Sequence, residues 1–513
     1  MDSRAKIRPA VILNFGSQYT QLIARRLREL GYFSLIKPPD ISPDEIRALD
    51  PSCIILSGGP ASVFSEDAKL PDKSIYSLGV GILGICYGLQ VIAYQLGGRV
   101  LRANAQEFGR ATLEIKKHHP VFEGLSKEFE VWMSHSDYVE SLPSEFEQIA
   151  STSNSPNAVI AHKDLPIVGL QFHPEVSHTQ NGQAILKNFM LNLCRIGPNW
   201  EVEDFVKVAK AEIEKVAKDK KVICALSGGV DSTVGAVLTK QLINERLRCV
   251  FIDNGFLREG EVREVVESLK LAGISPKVVD ASEEFLKALE GVEDPEQKRL
   301  RVGTVFARVL KQEADSFGAE VLLQGTLYPD VVESAHIRGA QVIKTHHNVG
   351  GLPKDLGLEL LEPFRELFKD EVRAIGRLIG VPEEILNRHP FPGPGLSIRV
   401  VGPVDLESLN MLRKADKILI DELKSSGLYG RVWQAFCVLL PVRTVGVMGD
   451  RRTYERAVAI RAVESVDGMT ADWARLPYEF LDKVARRIVS EVRGINRVVY
   501  DISSKPPSTI EWE

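Results

Sequence analysis

Short runs of β-branched and apolar residues alternate with longer amphipathic segments, first over AVILNF, QLIARRLREL, CIILSGG, GILGIC and LQVIAYQL, and then again from Val222. A strand that repeatedly returns through a helix pairs with its neighbour in parallel, so this alternation predicts open α/β sheets. The second series runs VICALSGG, a helix after Asp231, CVFIDNG, a further helix, KVVDA and VLLQGT. Two such series in one chain mean two sheets. The run RHPFPGPGLSIRV, dense in Pro and Gly, breaks the second series near residue 390. Beyond it, strand-like VLLPVRTVGVM and RVVYDIS mix with helical LESLNMLRKADKILIDELK. The expected architecture is therefore two open, mainly parallel-sheet α/β domains over 1–197 and 198–390, followed by a smaller α+β domain over 391–513.

With 513 residues the chain is too long for one ordinary core. A formal charge of -5 argues against nonspecific nucleic-acid binding, which needs clustered cations to displace counterions. No apolar run is long enough to span a bilayer, and MDSRAKIRPAVILNF offers neither an apolar leader core nor a small-residue cleavage site. A cytoplasmic location follows as the expectation. Six cysteines without a CxxC pair resemble neither a disulfide framework nor a zinc site.

Cys86 stands between an apolar strand and a helix, flanked by Gly84 and Gly88. A sharp turn of that kind needs residues without bulk, and it sets the sulfur at a helix N-terminus, where thiolate is favoured. LQFHPE supplies His173 as a base and Glu175 as the group that orients it, both placed on one face by strand alternation. Gly58 and Gly59 of LSGGP, with the amide of Tyr87, can donate to a tetrahedral oxyanion. In the second series, ALSGGVDST follows a strand and opens a helix. Ser227, Gly228, Gly229 and Val230 can wrap backbone amides around phosphate oxygens, while Ser232 and Thr233 add hydroxyls. No GK[ST] follows, so this is not the Walker pattern.

GICYGLQ with its downstream FHPE and upstream SGGP resembles the class I glutamine amidotransferases. The resemblance implies that Cys86 attacks the glutamine side-chain amide, and that Gln90 and the SHSD segment (Ser134, His135, Ser136, Asp137) help to hold glutamine. Leu89 and Ser136 stand where that family more often has Met and Gly. SGGVDS resembles the PP-loop of ATP pyrophosphatases, which activate a substrate as its adenylate. It implies that Asp231 holds Mg²⁺ against pyrophosphate, with Asp253 and Asn254 in the adenine and ribose wall.

These two motifs alone leave the acceptor open, between xanthosine monophosphate (XMP) and another substrate such as an NAD-precursor carboxylate, or a regulatory nucleotide binder without catalysis. KTHHNVGGLP, RHPFPGPGLSIRV, VGVMGDRRTY and the terminal YDISSKPPSTIEWE resemble the GMP synthetases over all three segments. That resemblance implies a lid bearing Lys344, His346 and His347, and XMP contacts from Arg299, Gln434, Asp450, Lys505 and Glu511. It further implies XMP, ATP and glutamine as substrates and a homodimer as the assembly.

Overall fold

The computed structural model describes residues 7–513 except 67, 177, 332–356, 449, 466–469 and 506. The side chains of 103–106 and 448 also lie outside the description. The chain forms two compact units, Met1–Phe205 and Val206–Glu513.

The first unit is built on one nine-stranded sheet. Its strands are β1 (Ala10–Leu13), β2 (Ser34–Lys37), β3 (Cys53–Leu56), β4 (Gly81–Ile85), β5 (Arg99–Ile115), β6 (Glu128–Ser141), β7 (Phe146–Ser151), β8 (Val159–His162) and β9 (Ile167–Leu170). The order across the sheet is β2-β1-β3-β4-β9-β8-β7-β5-β6. The ladders from β2 to β9 are parallel and the rest antiparallel. Every residue of β1, β3, β4 and β9 is buried, as expected of strands covered on both faces. Because β3, β4 and β9 are adjacent and parallel, their carboxyl ends open onto one edge.

Among the described residues the second unit contains two sheets. The parallel one has β10 (Val222–Ala225), β11 (Leu247–Asp253), β12 (Lys277–Asp280), β13 (Val321–Leu323) and β14 (Glu359–Leu361), in the order β12-β11-β10-β13-β14. Strand order reverses between β10 and β13, the position where open α/β sheets bind ligands. The other sheet pairs a long hairpin, β15 (Gln434–Met448) and β16 (Arg451–Glu464), with β17 (Asp472–Trp473) and β18 (Ile495–Asp501). One apolar cluster runs through both sheets, from Ile223 and Val250 through Leu396 and Leu409 to Cys437, Val458 and Ile488.

Among the described residues no helix is long and apolar enough to cross a membrane.

Candidate functional site

Cys86 caps the helix Tyr87–Gln95 with φ 53° and ψ -104°, a strained conformation for a residue carrying a Cβ. Its neighbours explain why the turn can close. A Cβ on Gly84 would stand 2.6 Å from the carbonyl carbon of Gly88, and one on Gly88 would stand 2.7 Å from Leu56 Cβ. The two glycines let helix, β4 and β3 meet without side chains between them. Cys86 is 5% exposed, with Sγ 3.6 Å from the Ser134 carbonyl oxygen and 3.9 Å from Gln171 Nε2.

His173 and Glu175 lie three and five residues beyond the end of β9, in a turn rather than on the strand. The expected alternation therefore does not bring them together. The turn does, setting His173 Nδ1 2.7 Å from Glu175 Oε1. Thr179 Oγ1 donates to the His173 carbonyl at 2.6 Å, and His173 N donates to Trp132 O at 3.1 Å, so the turn is tied down at the imidazole itself. Burial disfavours the charged ring, but the Glu175 carboxylate and the Cys86 sulfur outweigh it and hold His173 well above the usual histidine range. Glu175 Oε2 is buried with no protein partner. A Cβ on Gly58 would come 3.2 Å from His173 Cε1, which brings the SGGP turn to the same place. Tyr87 is buried, its hydroxyl donating to Lys69 O at 3.2 Å.

The SHSD segment divides between the two faces of β6. His135 and Asp137 are buried, whereas Ser134 and Ser136 are half-buried on the opposite side. The Asp137 carbonyl accepts from Gln90 Nε2 at 2.8 Å and faces His135 Nδ1 at 3.0 Å. Ser62 Oγ donates to the Asp137 carboxylate. On its other side, His135 Nε2 lies 3.2 Å from Glu107 Oε2. Glu107 was not legible in the sequence, because NAQEFGR carries no periodic or spacing signal.

In the second unit, the loop after β10 leads into the helix Val230–Ile243. Gly228 has φ 73°, and a Cβ there would meet Val265 Cγ1 at 2.7 Å, so only glycine fits. Ser227 Oγ lies 3.4 Å from Ser232 Oγ and accepts from Gly229 N at 3.3 Å. Thr233 is fully buried and donates to Gly229 O at 2.7 Å, so its hydroxyl closes the first helical turn. Asp231 Oδ2 is 3.5 Å from Lys369 Nζ, while Asp231 Oδ1 is buried without a protein partner. A Cβ on Gly325, just past β13, would come 3.0 Å from the Asp231 carbonyl carbon, so the helix start lies at the point where strand order reverses. Asp253 and Asn254, at the end of β11, accept from Gly255 N and Phe256 N at 2.9 Å, each holding its own turn.

Three of the expected XMP contacts gather around the terminal IEWE. Gln434 Nε2 donates to Glu511 Oε1 at 3.0 Å and Arg299 Nη2 donates to the Glu513 main-chain oxygen. Burial draws Arg299 below the usual guanidinium value against the opposing pull of Glu511, Glu296 and Glu513. Arg399 and Lys298 complete the cluster, the first pairing with Glu511 and the second with Glu513. Neither was singled out in the sequence; Arg399 sits in a run read as a chain break and as part of the resemblance, with no role given to the arginine. Lys505 pairs its backbone with Ala471 in an isolated bridge. Asp450 occupies the turn between β15 and β16 with φ 62°, at the far end of the strand from Gln434. None of the bonds of Gln434 and Glu511 described above involves Asp450. Lys344, His346 and His347 lie outside the described residues.

Residues 11–193 match the family model for class-I glutamine amidotransferases, 201–316 that for NAD synthase, and 421–512 that for the GMP synthase C terminal domain. Over 507 residues the chain is 64% identical to the glutamine-hydrolyzing GMP synthase of Aquifex aeolicus, covering 99% of each protein. The corresponding enzyme of Chlorobaculum tepidum is 55% identical over 516 residues, again with 99% of both covered. That of Thermosipho africanus is 54% identical over 510 residues, covering 98% of this chain and 99% of the relative. Similarity at this level over both units, with the cysteine elbow in one and the phosphate loop in the other, means that the chain belongs to the glutamine-hydrolysing GMP synthase family.

Proposed function

We infer that this chain makes GMP from XMP, ATP and glutamine through an adenylyl-XMP intermediate, releasing AMP, pyrophosphate and glutamate. The observation that carries the reading is the pairing, in one chain, of a strained Cys86 elbow beside a His173–Glu175 couple with a glycine-built loop at the switch point of a parallel sheet.

In the amidase, Cys86 Sγ attacks the glutamine side-chain carbonyl and His173 takes the thiol proton. His173 then gives a proton to the departing ammonia, and water releases glutamate from the thioester. Glu175 orients the ring and stabilises the charge it gains with the thiol proton. Backbone amides at Gly58, Gly59 and Tyr87 donate to the developing oxyanion. Gln90 and the SHSD segment hold the rest of glutamine, Ser134 and Ser136 from the face of β6 opposite that of His135 and Asp137.

In the synthetase, the amides of Ser227 to Val230 and the hydroxyls of Ser232 and Ser227 cradle ATP phosphates, with Thr233 bracing the turn. Asp253 and Asn254 shape the nucleoside wall. Asp231 suits Mg²⁺, since its Oδ1 is a buried carboxylate oxygen without a protein partner and Mg²⁺ is commonly held by one or two carboxylates together with substrate phosphates. When bound, the ion neutralises charge on the leaving pyrophosphate. Arg299, Gln434 and Glu511 form XMP contacts, supported by their grouping around the terminal segment, while Lys505 and Asp450 are assigned to XMP on the family resemblance.

The domains proceed as 1–197 amidase, 198–390 synthetase and 391–513 XMP-binding and dimerisation domain, in a cytoplasmic homodimer. Dimerisation is supported by apolar side chains left exposed on the last sheet, among them Val445, Val447 and Tyr454 of the hairpin. The NAD synthase match over 201–316 favours testing a carboxylate acceptor as well. AMP and GMP formation measured with glutamine or ammonium, for the native chain and Cys86→Ala, tests the whole reading. The variant should keep only the ammonium reaction; no GMP from either donor would reject XMP as acceptor.

A further inference from the structure

Between Arg102 and Glu107 the pairing of β5 with β6 shifts register: Arg102 is opposite Asp137 and Glu107 opposite His135. A register shift of this kind disrupts a ladder locally. Side chains hold the strand beside the shift. Glu107 is buried and accepts from Ser155 Oγ at 2.9 Å on Oε2 and from Thr152 Oγ1 at 3.3 Å on Oε1. Its Oε2 also faces His135 Nε2, whose other nitrogen faces the Asp137 carbonyl. Both imidazole nitrogens thus face acceptors. That same carbonyl is the anchor of Gln90, which sits one helical turn from Cys86 on the same helix.

We propose that Glu107 is a positioning residue for glutamine, fixing through His135 the Asp137 carbonyl that anchors Gln90 beside Cys86. The proposal rests on the amidase reading above. Glu107 touches neither the sulfur nor its base. Its effect passes along β6, where Ser134, three residues from Asp137, presents its carbonyl to the sulfur. Releasing His135 lets the Gln90 amide and this strand segment drift together, which weakens recognition of glutamine and leaves the thiol's chemistry in place.

The test uses the full chain with ATP, Mg²⁺ and XMP. Glu107→Ala should raise KM for glutamine about tenfold, as expected for one lost charge-assisted hydrogen bond, with kcat held within about threefold. Glu107→Gln, which keeps an acceptor for His135, should fall between it and the native chain. GMP formation from ammonium should be unchanged. Inactivation by a glutamine-like diazoketone should slow in step with KM, while alkylation of Cys86 by iodoacetamide proceeds at the native rate. An unchanged KM with reduced kcat, or equal slowing of both inactivation reactions, overturns the proposal. If Glu107→Ala does not fold, the Glu107→Gln variant decides on the same readouts. Cys86→Ala run in parallel tests the amidase reading separately: persistent glutamine-dependent activity in that variant would reject it whatever Glu107 does.

Discussion

Arg399 meets Glu511 through two bonds, Nε to Oε2 at 3.0 Å and Nη2 to Oε1 at 2.8 Å, with the guanidinium 3.9 Å from the centre of the Phe436 ring. Arg399 is fully buried. Removing one partner leaves a charge uncompensated in a poorly solvated place, which costs more than the pair contributes. Glu511→Ala should therefore destabilise the second unit by about 3 kcal/mol in urea unfolding and abolish GMP formation from ammonium. Iodoacetamide labelling of Cys86 should be unaffected.

His173→Ala removes the base but not the sulfur. Glutamine-dependent GMP formation should fall at least about 10³-fold, as for other members of a nucleophile and base couple. Ammonium-dependent formation should stay native. A parallel loss of both would place His173 in the fold rather than in the chemistry.

His173 is held above its ordinary value by Glu175 and Cys86 against the effect of burial. The stability this gives is fully present below the unfolded-state value, near 6.5, and disappears as pH rises through the higher folded-state value. Glu175→Gln leaves burial to dominate. Its loss of stability relative to the native chain should be largest below pH about 6.5 and shrink on the alkaline side, as read by urea unfolding across a pH series.

Gly88→Ala would set a methyl group 2.7 Å from Leu56 Cβ, with β3 fixed behind it in the sheet. Overpacking of this kind costs about 1–3 kcal/mol. Because the displaced helix carries Cys86 at its cap, glutamine hydrolysis should drop further than stability alone accounts for. Comparison of the melting shift with glutaminase kcat checks it.

Asp231→Asn keeps the shape at the helix start and removes the charge proposed to hold Mg²⁺. AMP formation should fall with glutamine and with ammonium alike, and raising Mg²⁺ should restore part of it. Loss confined to the glutamine reaction would reject the assignment.

The parallel strands were legible because buried strands in open sheets read as unbroken apolar runs, as CIIL and VICA do. Cys86 and Gly228 were legible because tight turns permit so few residue types. Glu107, Arg399 and Lys298 were not, since each acquires its role from partners distant in sequence: Glu107 from His135, Arg399 from Glu511 and Lys298 from Glu513. His173 and Glu175 were found by the right motif for a partly wrong reason, the connecting element being a turn anchored by Thr179. Asp450 differs from these in lying in the turn of a long hairpin whose other end carries Gln434.

The apolar cluster common to both sheets of the second unit governs how that unit unfolds. Phe256 and Leu310 pack in the same core as Leu412, Leu419 and Ile460. Truncation near residue 390 would expose the first group to water by removing the second, so the parallel sheet should not survive as an independently folding piece. The nucleotide loop and the terminal acidic cluster are thus melted or retained as one cooperative block.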